Sequence, residues 1–232
     1  MQKIYRDFEN IAFKLDFSYP EVKDTDSPAI EEAWEKKLKE TPFIFNGSQY
    51  AVNKLSEEEN KLQISFNKLE YKTYVWARES GLQGPGLFPS VVGVYLYDDK
   101  NFYFPRRGRN VTYNSGKLNG VIGSLDYKGE DIREIWDHIK AVTLKEVEEE
   151  VVVDRVVIKD DLRPFLIGFG TECYRLDIRF IAKAKILDFK NKESSEIVII
   201  PRKELSEFVK AQPDDITPSE LSFFRELAKG RF

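Results

Sequence analysis

Glu146, Glu149 and Glu150 lie at spacings of three and four in Leu-Lys-Glu-Val-Glu-Glu-Glu-Val-Val-Val, residues 144–153. On a helix that spacing gathers three carboxylates on one face. The same face traced upstream in helical steps carries Ile135, Ile139 and Val142, so the acids continue an apolar stripe that is expected to point inward. Like charges this close disfavour a helix, and burying them costs far more unless positive charge compensates. An oxygen-only ligand set selects a hard divalent cation, Mg²⁺ or Mn²⁺. An ordinary solvated acidic run would continue the polar face. Here Glu148 alone lies off the inward stripe, while Leu144, Val147 and Val151 form a second apolar line.

The chemistry available elsewhere is narrow. Cys173 is the only cysteine and His138 the only histidine, which disfavours intrachain disulfides, Cys/His zinc sites and a Cys-His catalytic pair. Carboxylate and metal chemistry remains. A net charge of −4 argues against broad nucleic-acid binding by counterion release. No apolar stretch approaches the roughly 18 residues that would span a bilayer, and Met1 to Asp7 lacks a signal-peptide core, so a cytoplasmic protein without a membrane partner is expected.

The elements that must position the acids follow from periodicity. Val92 to Phe104 alternates apolar residues around Asp98-Asp99-Lys100-Asn101 and reads as a β-hairpin. Arg106, Arg107 and Arg109 follow it, then Gly116, Gly120 and Gly123 precede the acidic helix. Strands are expected over 151–158, 175–186 and 197–200, and helices over 201–211 and 218–229. Nearer the start, Ile30, Trp34 and Leu38 recur every four residues behind Ser27-Pro28. Asn46-Gly47 suggests a hairpin over 43–52, and Leu62, Ile64 and Phe66 alternate as a strand. Gly81 to Gly86 is the clearest linker, with three glycines and a proline in six positions. The expected organisation is a β-rich region with a short helix over 1–85 and a second domain over 86–232.

The segment Lys145-Glu146-Val147-Glu148-Glu149-Glu150-Val151-Val152-Val153 resembles the end of the Nudix box, whose core Glu-U-x-Glu-Glu, with U a bulky aliphatic, is intact. The rest departs from the box: Lys145 stands for its Arg, Val152 for its second Gly, Asp137 for its early Glu and Asp131 for its first Gly. The order of hairpin, glycine loop, acidic helix and strands is also similar to that family. The resemblance implies an α/β (α+β) fold: a Nudix α/β/α sandwich with a mixed sheet behind a small β-rich N-terminal region. Residues 42–47, 104–109, 144–147 and 165–168 resemble the divergent Nudix branch that cleaves UDP-sugars.

By that resemblance the expected activity is Mg²⁺- or Mn²⁺-dependent cleavage of a nucleoside diphosphate linked to another group, with UDP-glucose or UDP-galactose leading. Glu149 and Glu150 are then the expected metal ligands, and Glu146 a further ligand or base. Lys145 stands where the family's Arg orients a glutamate, but without the bidentate fork. Arg106, Arg107 and Arg109 could hold phosphates, or form a solvent-facing basic turn. Gly120 and Gly123 could admit the backbone to metal or phosphate, or simply form turns. Glu172 and Asp177 are weaker acidic candidates. Many Nudix proteins dimerise, so a homodimer is compatible. The rival expectation is a catalytically silent Nudix domain that binds a nucleotide as a sensor or scaffold.

Overall fold

A computed structural model of the chain describes residues 2–5, 11–16, 26–42, 44–58, 61–108, 114–129, 135–153, 162–170, 175–184, 186–189 and 194–230. The described elements are β1 (Gln2–Tyr5), β2 (Ile11–Leu15), α1 (Ser27–Glu40), β3 (Ser48–Glu58), β4 (Lys61–Glu70), α2 (Tyr71–Glu79), β5 (Val91–Tyr97), β6 (Asn101–Arg107), β7 (Val121–Ser124), α3 (Ile135–Glu150), β8 (Val151–Val153), β9 (Arg163–Gly170), β10 (Arg175–Lys183), β11 (Ile186–Phe189), β12 (Ser194–Pro201), α4 (Leu205–Ala211) and α5 (Leu221–Leu227). This is the mixed α+β class expected from the sequence. Among the described residues no helix is long and apolar enough to cross a membrane.

The chain forms two compact units, each assembled from separate stretches. The first comprises Met1–Val91, Ser124–Ile139 and Ile167–Asp177. Its three-stranded sheet has the order β2-β4-β3, with β2 parallel and β3 antiparallel to β4. The alternation of Leu62, Ile64 and Phe66 does form a strand, and all three side chains are buried. Phe66 packs against Tyr50, whose ring also meets Tyr127 at 4.9 Å between centroids. The helix predicted around Ile30 and Trp34 is α1. Pro28 sits in its first turn, where the missing N–H costs nothing, and Ile30 and Trp34 supply its buried face.

Asn46-Gly47 does not make the expected hairpin. Asn46 Oδ1 accepts the Lys72 N–H at 3.0 Å, and Gly47 O accepts the Tyr71 N–H at 2.9 Å. These two groups therefore satisfy first-turn donors of α2, a helix not anticipated from the sequence. Asx and Gly residues that favour tight turns also suit orphan helix donors, so local composition does not separate the two uses.

The second unit comprises Val92–Gly123, Lys140–Leu166 and Ile178–Phe232. Its sheet takes strand segments in the order β9-β10-β5-β6-β12, with β7 beside β5. β5 and β6 are antiparallel and form the predicted hairpin. Asp98 shapes its turn, because one carboxylate oxygen accepts the N–H groups of both Lys100 and Asn101 at 2.7 Å and the other accepts the Tyr103 hydroxyl. β12 runs antiparallel to β6, with Val198 opposite Phe104. β8 and β11 pair separately. The segment predicted as one strand over 175–186 ends at Lys183. The strand expected over 151–158 is described only as β8, and residues 154–161 lie outside the described residues.

An aromatic stack anchors the C-terminal helix of this unit. The Phe224 ring lies 4.3 Å from Phe104 and 5.8 Å from Tyr95, and all three are fully buried. Such pairs are worth about 0.5–1.5 kcal/mol each beyond the area they bury. Beside them Arg179 and Glu220, both wholly buried, form an ion pair at 2.5 Å. The Arg179 guanidinium also lies 5.0 Å from the Phe223 ring.

Candidate active site

The acidic segment is helical, as its spacing requires, and forms the last turns of α3. Ile135, Ile139, Val142, Thr143, Val147 and Glu150 are buried along its length. With about 100° per residue, that buried arc runs through Glu146 and Glu150. Glu149 lies about 60° from Glu146, at the rim of the arc. Its side chain is 48% exposed, with Lys145 Nζ 4.0 Å away one turn earlier. Thus Glu146 and Glu150 follow the inward stripe and Glu149 does not. Glu148, expected opposite the stripe, is half-buried.

Gly123 explains how a carboxylate is accommodated on this face. A Cβ built on Gly123 would meet the Glu146 carboxyl carbon and Oε1 at 2.1 Å, so the Glu146 side chain occupies the room that any larger residue would need. A side chain at this position of β7 would force the Glu146 carboxylate to move from where it lies. One turn further along, the buried Glu150 carboxylate accepts the Ser194 hydroxyl at 2.8 Å, and Ser194 is itself buried at the start of β12. A hydrogen bond of this kind holds the carboxylate in one orientation.

Gly120 has a different neighbour. Its Cβ position lies 3.0 Å from the Tyr95 ring, so this glycine packs closely against that side chain. The three arginines also separate. Arg106 directs its guanidinium to Asp215 at 2.5 and 3.0 Å, to Glu196 at 2.6 Å and to the Gly116 carbonyl at 2.7 Å. Hydrogen bonding to Asp215 is the main reason its pKa rises. Its fork is committed within the protein and braces two segments. Arg107 is half-buried and pairs through its backbone with Lys117 and Gly116. Arg109 lies outside the described residues.

Other candidates have structural partners. His138 Nε2 lies 2.7 Å from the Asp126 carbonyl. Asp177 is buried and accepts from Arg175 at 3.2 Å. Glu172, Asp131 and Cys173 lie outside the described residues.

Ser194, Asp215 and Glu220 were not singled out from the sequence. Their partners are distant in the chain, and no local pattern marks them.

The donor chemistry suits a hard cation, since Glu146 and Glu150 offer carboxylate oxygens one helical turn apart. Among the described residues no three Asp, Glu, His or Cys side chains converge into a metal-binding group. Mg²⁺ does not demand one, because it is commonly held by one or two carboxylates with water and substrate phosphates completing the octahedron.

No family model matches the chain, and no curated protein matches it by sequence. Solved structures similar to it include a MutT protein from Methanosarcina mazei Go1, at 19% identity and a TM-score of 0.41, covering 61% of this chain and 94% of that one. A NUDIX hydrolase from Nitrosomonas europaea aligns at 15% identity and a TM-score of 0.43, over 78% of this chain and 86% of its own. A bifunctional NMN adenylyltransferase/ADP ribose pyrophosphatase from Francisella tularensis, complexed with AMP and Mn ion, aligns at 10% identity and a TM-score of 0.45, over 61% of this chain and 41% of its own.

Proposed function

We propose that this chain is a Nudix-type pyrophosphohydrolase that uses a divalent cation to cleave the diphosphate bridge of a nucleoside diphosphate linked to another group. The observation that carries the reading is the packing of the Glu146 carboxyl against Gly123, one turn from the buried, serine-bonded carboxylate of Glu150. Two carboxylates on an inward helix face invite a counter-cation, and the glycine leaves them room.

When bound, Mg²⁺ or Mn²⁺ supplies Lewis acidity toward phosphate oxygens and toward water. Glu150, oriented by Ser194, and Glu146 would hold the cation. Glu149 completes the ligand set suggested by the sequence motif, from the rim of the same face. Glu146 has the second candidate role of taking the proton from the attacking water. Lys145 lies 4.0 Å from Glu149 and is proposed to help orient that carboxylate. Arg107 and Arg109 are the proposed phosphate contacts. Arg106 is assigned to positioning because its donors are already engaged. Gly120 and Gly123 are proposed to bring the backbone close to the phosphates.

The finer parts of the proposal are a UDP-sugar substrate, giving a nucleoside monophosphate and a sugar phosphate, with Mg²⁺ ahead of Mn²⁺. A cytoplasmic location and a homodimer belong to it as well. The deciding experiment measures monophosphate release from UDP-sugars, ADP-ribose and dinucleoside polyphosphates with Mg²⁺, Mn²⁺ or chelator. Metal-dependent turnover of one class supports the enzyme and identifies its substrate. Tight nucleotide binding that survives chelation, with no turnover of any compound, would replace it with a silent binding domain.

A further inference from the structure

We propose that the C-terminal segment Asp214–Glu220 is a positioning strap for the glycine loop, residues 116–120, so that β7 meets the Glu146 carboxyl at the right distance. The catalytic consequence rests on the functional reading above; the structural consequence does not. Residues 114–120 form no helix or named strand. Glycine is the residue least able to hold a backbone conformation unaided, and this stretch carries Gly116 and Gly120. Backbone hydrogen bonds to Arg107 and Pro105 hold one side of the loop against β6, and the other side needs a second support to set where β7 begins.

Residues 214–217 of the strap supply that support directly. Leu118 donates its N–H to the Asp215 carbonyl at 2.7 Å, and the Leu118 carbonyl accepts the Thr217 N–H at 3.0 Å. Leu118 is thus bridged in parallel to Ile216 and, on the other side, antiparallel to Arg106. Lys117 Nζ donates to the Asp214 carbonyl at 2.9 Å. At this end Arg106 ties the loop to the strap directly, since one nitrogen reaches both the Gly116 carbonyl and the Asp215 carboxylate.

The other end of the strap is fastened by Glu220. Its buried carboxylate takes the Tyr95 hydroxyl and the Arg179 guanidinium, each at 2.5 Å. Tyr95 is the residue whose ring supports Gly120. Two carboxylates five residues apart therefore brace the loop through two different intermediaries: Asp215 through Arg106, and Glu220 through Tyr95. From Gly120 only three residues lead to Gly123 and its contact with Glu146. Asp215 and Glu220 are accordingly positioning residues that never touch substrate.

The test uses Asp215, which is partly exposed, and avoids Glu220, whose loss would take the carboxylate from the wholly buried Arg179. The unaltered protein is compared with Asp215→Ala and the more conservative Asp215→Asn, in Mg²⁺. Amide hydrogen exchange is read over residues 114–124, with β5 and β6 up to Phe104 as an internal control. The expected result is exchange faster by about tenfold in 114–124 of Asp215→Ala with the control strands unchanged, and an intermediate effect in Asp215→Asn. Because displacements near 1 Å can cost about a hundredfold in rate, kcat should fall by one to two orders of magnitude with KM nearly unchanged. Native exchange in 114–124, or faster exchange with native kcat, overturns the strap as a positioning device. Absence of hydrolysis by the unaltered protein would count against the functional reading alone, and the exchange arm would still decide whether the strap holds the loop.

Discussion

Gly123 and Glu146 depend on each other: the glycine matters because of what it lacks, and the carboxylate lies where a side chain would be. In Gly123→Ala the new methyl would meet the end of a flexible side chain, which can swing aside at small cost to stability. The carboxylate would no longer lie where the cation is proposed to bind. We therefore expect a melting temperature within a few degrees of native and hydrolysis reduced by about a hundredfold or more. Equal losses of stability and activity would argue that the glycine serves packing alone. Glu146→Gln and Glu150→Gln remove charge with little change of shape. Each should lower metal-dependent turnover by about two orders of magnitude, and Glu149→Gln by less, because Glu149 is at the exposed rim. A Glu149→Gln variant as impaired as the other two would return that residue to the centre of the site.

At the scale of elements, hairpins and helices follow from local rules until a distant partner intervenes. The β5–β6 hairpin was legible because Asp98 and Asn101 suit a turn between alternating strands, and Asp98 does organise it. Burial opposes ionisation of Asp98, but hydrogen bonds from Tyr103 and from the Lys100 and Asn101 amides outweigh it and lower its pKa. A lowered carboxylate pKa contributes stability that is present above the ordinary value near 3.8 and disappears as the pH falls through the lower folded value. Asp98→Ala should thus destabilise the protein at neutral pH, and the difference from native should shrink as the pH is taken below about 4. Thermal melts of both proteins from pH 7 to pH 3 test this, and a difference that does not depend on pH would refute the ionic account. The acidic helix was legible for a similar local reason, since its i, i+3 and i+4 spacings need no partner to be seen. The fate of Arg106 was not, because Glu196 and Asp215 lie 90 and 109 residues away.

For the molecule as a whole, the titration of its phenols carries a stability signature. Burial raises the pKa of Tyr5, Tyr50, Tyr95 and Tyr103 above the ordinary tyrosine value of 10.0. For Tyr95 the nearby Glu220 carboxylate adds to the effect of burial. A group whose folded pKa is raised contributes stability that is complete below the unfolded value and is lost as pH rises through the folded one. Stability should therefore hold up to about pH 10 and fall steeply beyond it. Tyr95→Phe removes a phenol whose pKa is raised well above the ordinary value, so its alkaline melting curve should fall less steeply, although the Glu220 carboxylate loses one hydrogen bond at every pH. Identical alkaline slopes in the two proteins would show that Tyr95 is not part of the transition.

The order of hairpin, glycines, acidic helix and strands, the mixed class of fold and the all-oxygen chemistry were properties of the sequence alone, because they rest on side-chain type and on periods of two and 3.6 residues. Tertiary structure decided which acids turn inward. The helix repeat brings Glu149 near the buried arc, and only the packing around α3 leaves it outside. Tertiary structure also turned Asn46-Gly47 from an expected hairpin into a cap for α2, and Arg106, read as a phosphate contact or part of a solvent-facing basic turn, into a brace. For Asn46 and Arg106 the deciding partners lie 26, 90 and 109 residues away, where neither spacing nor propensity carries information.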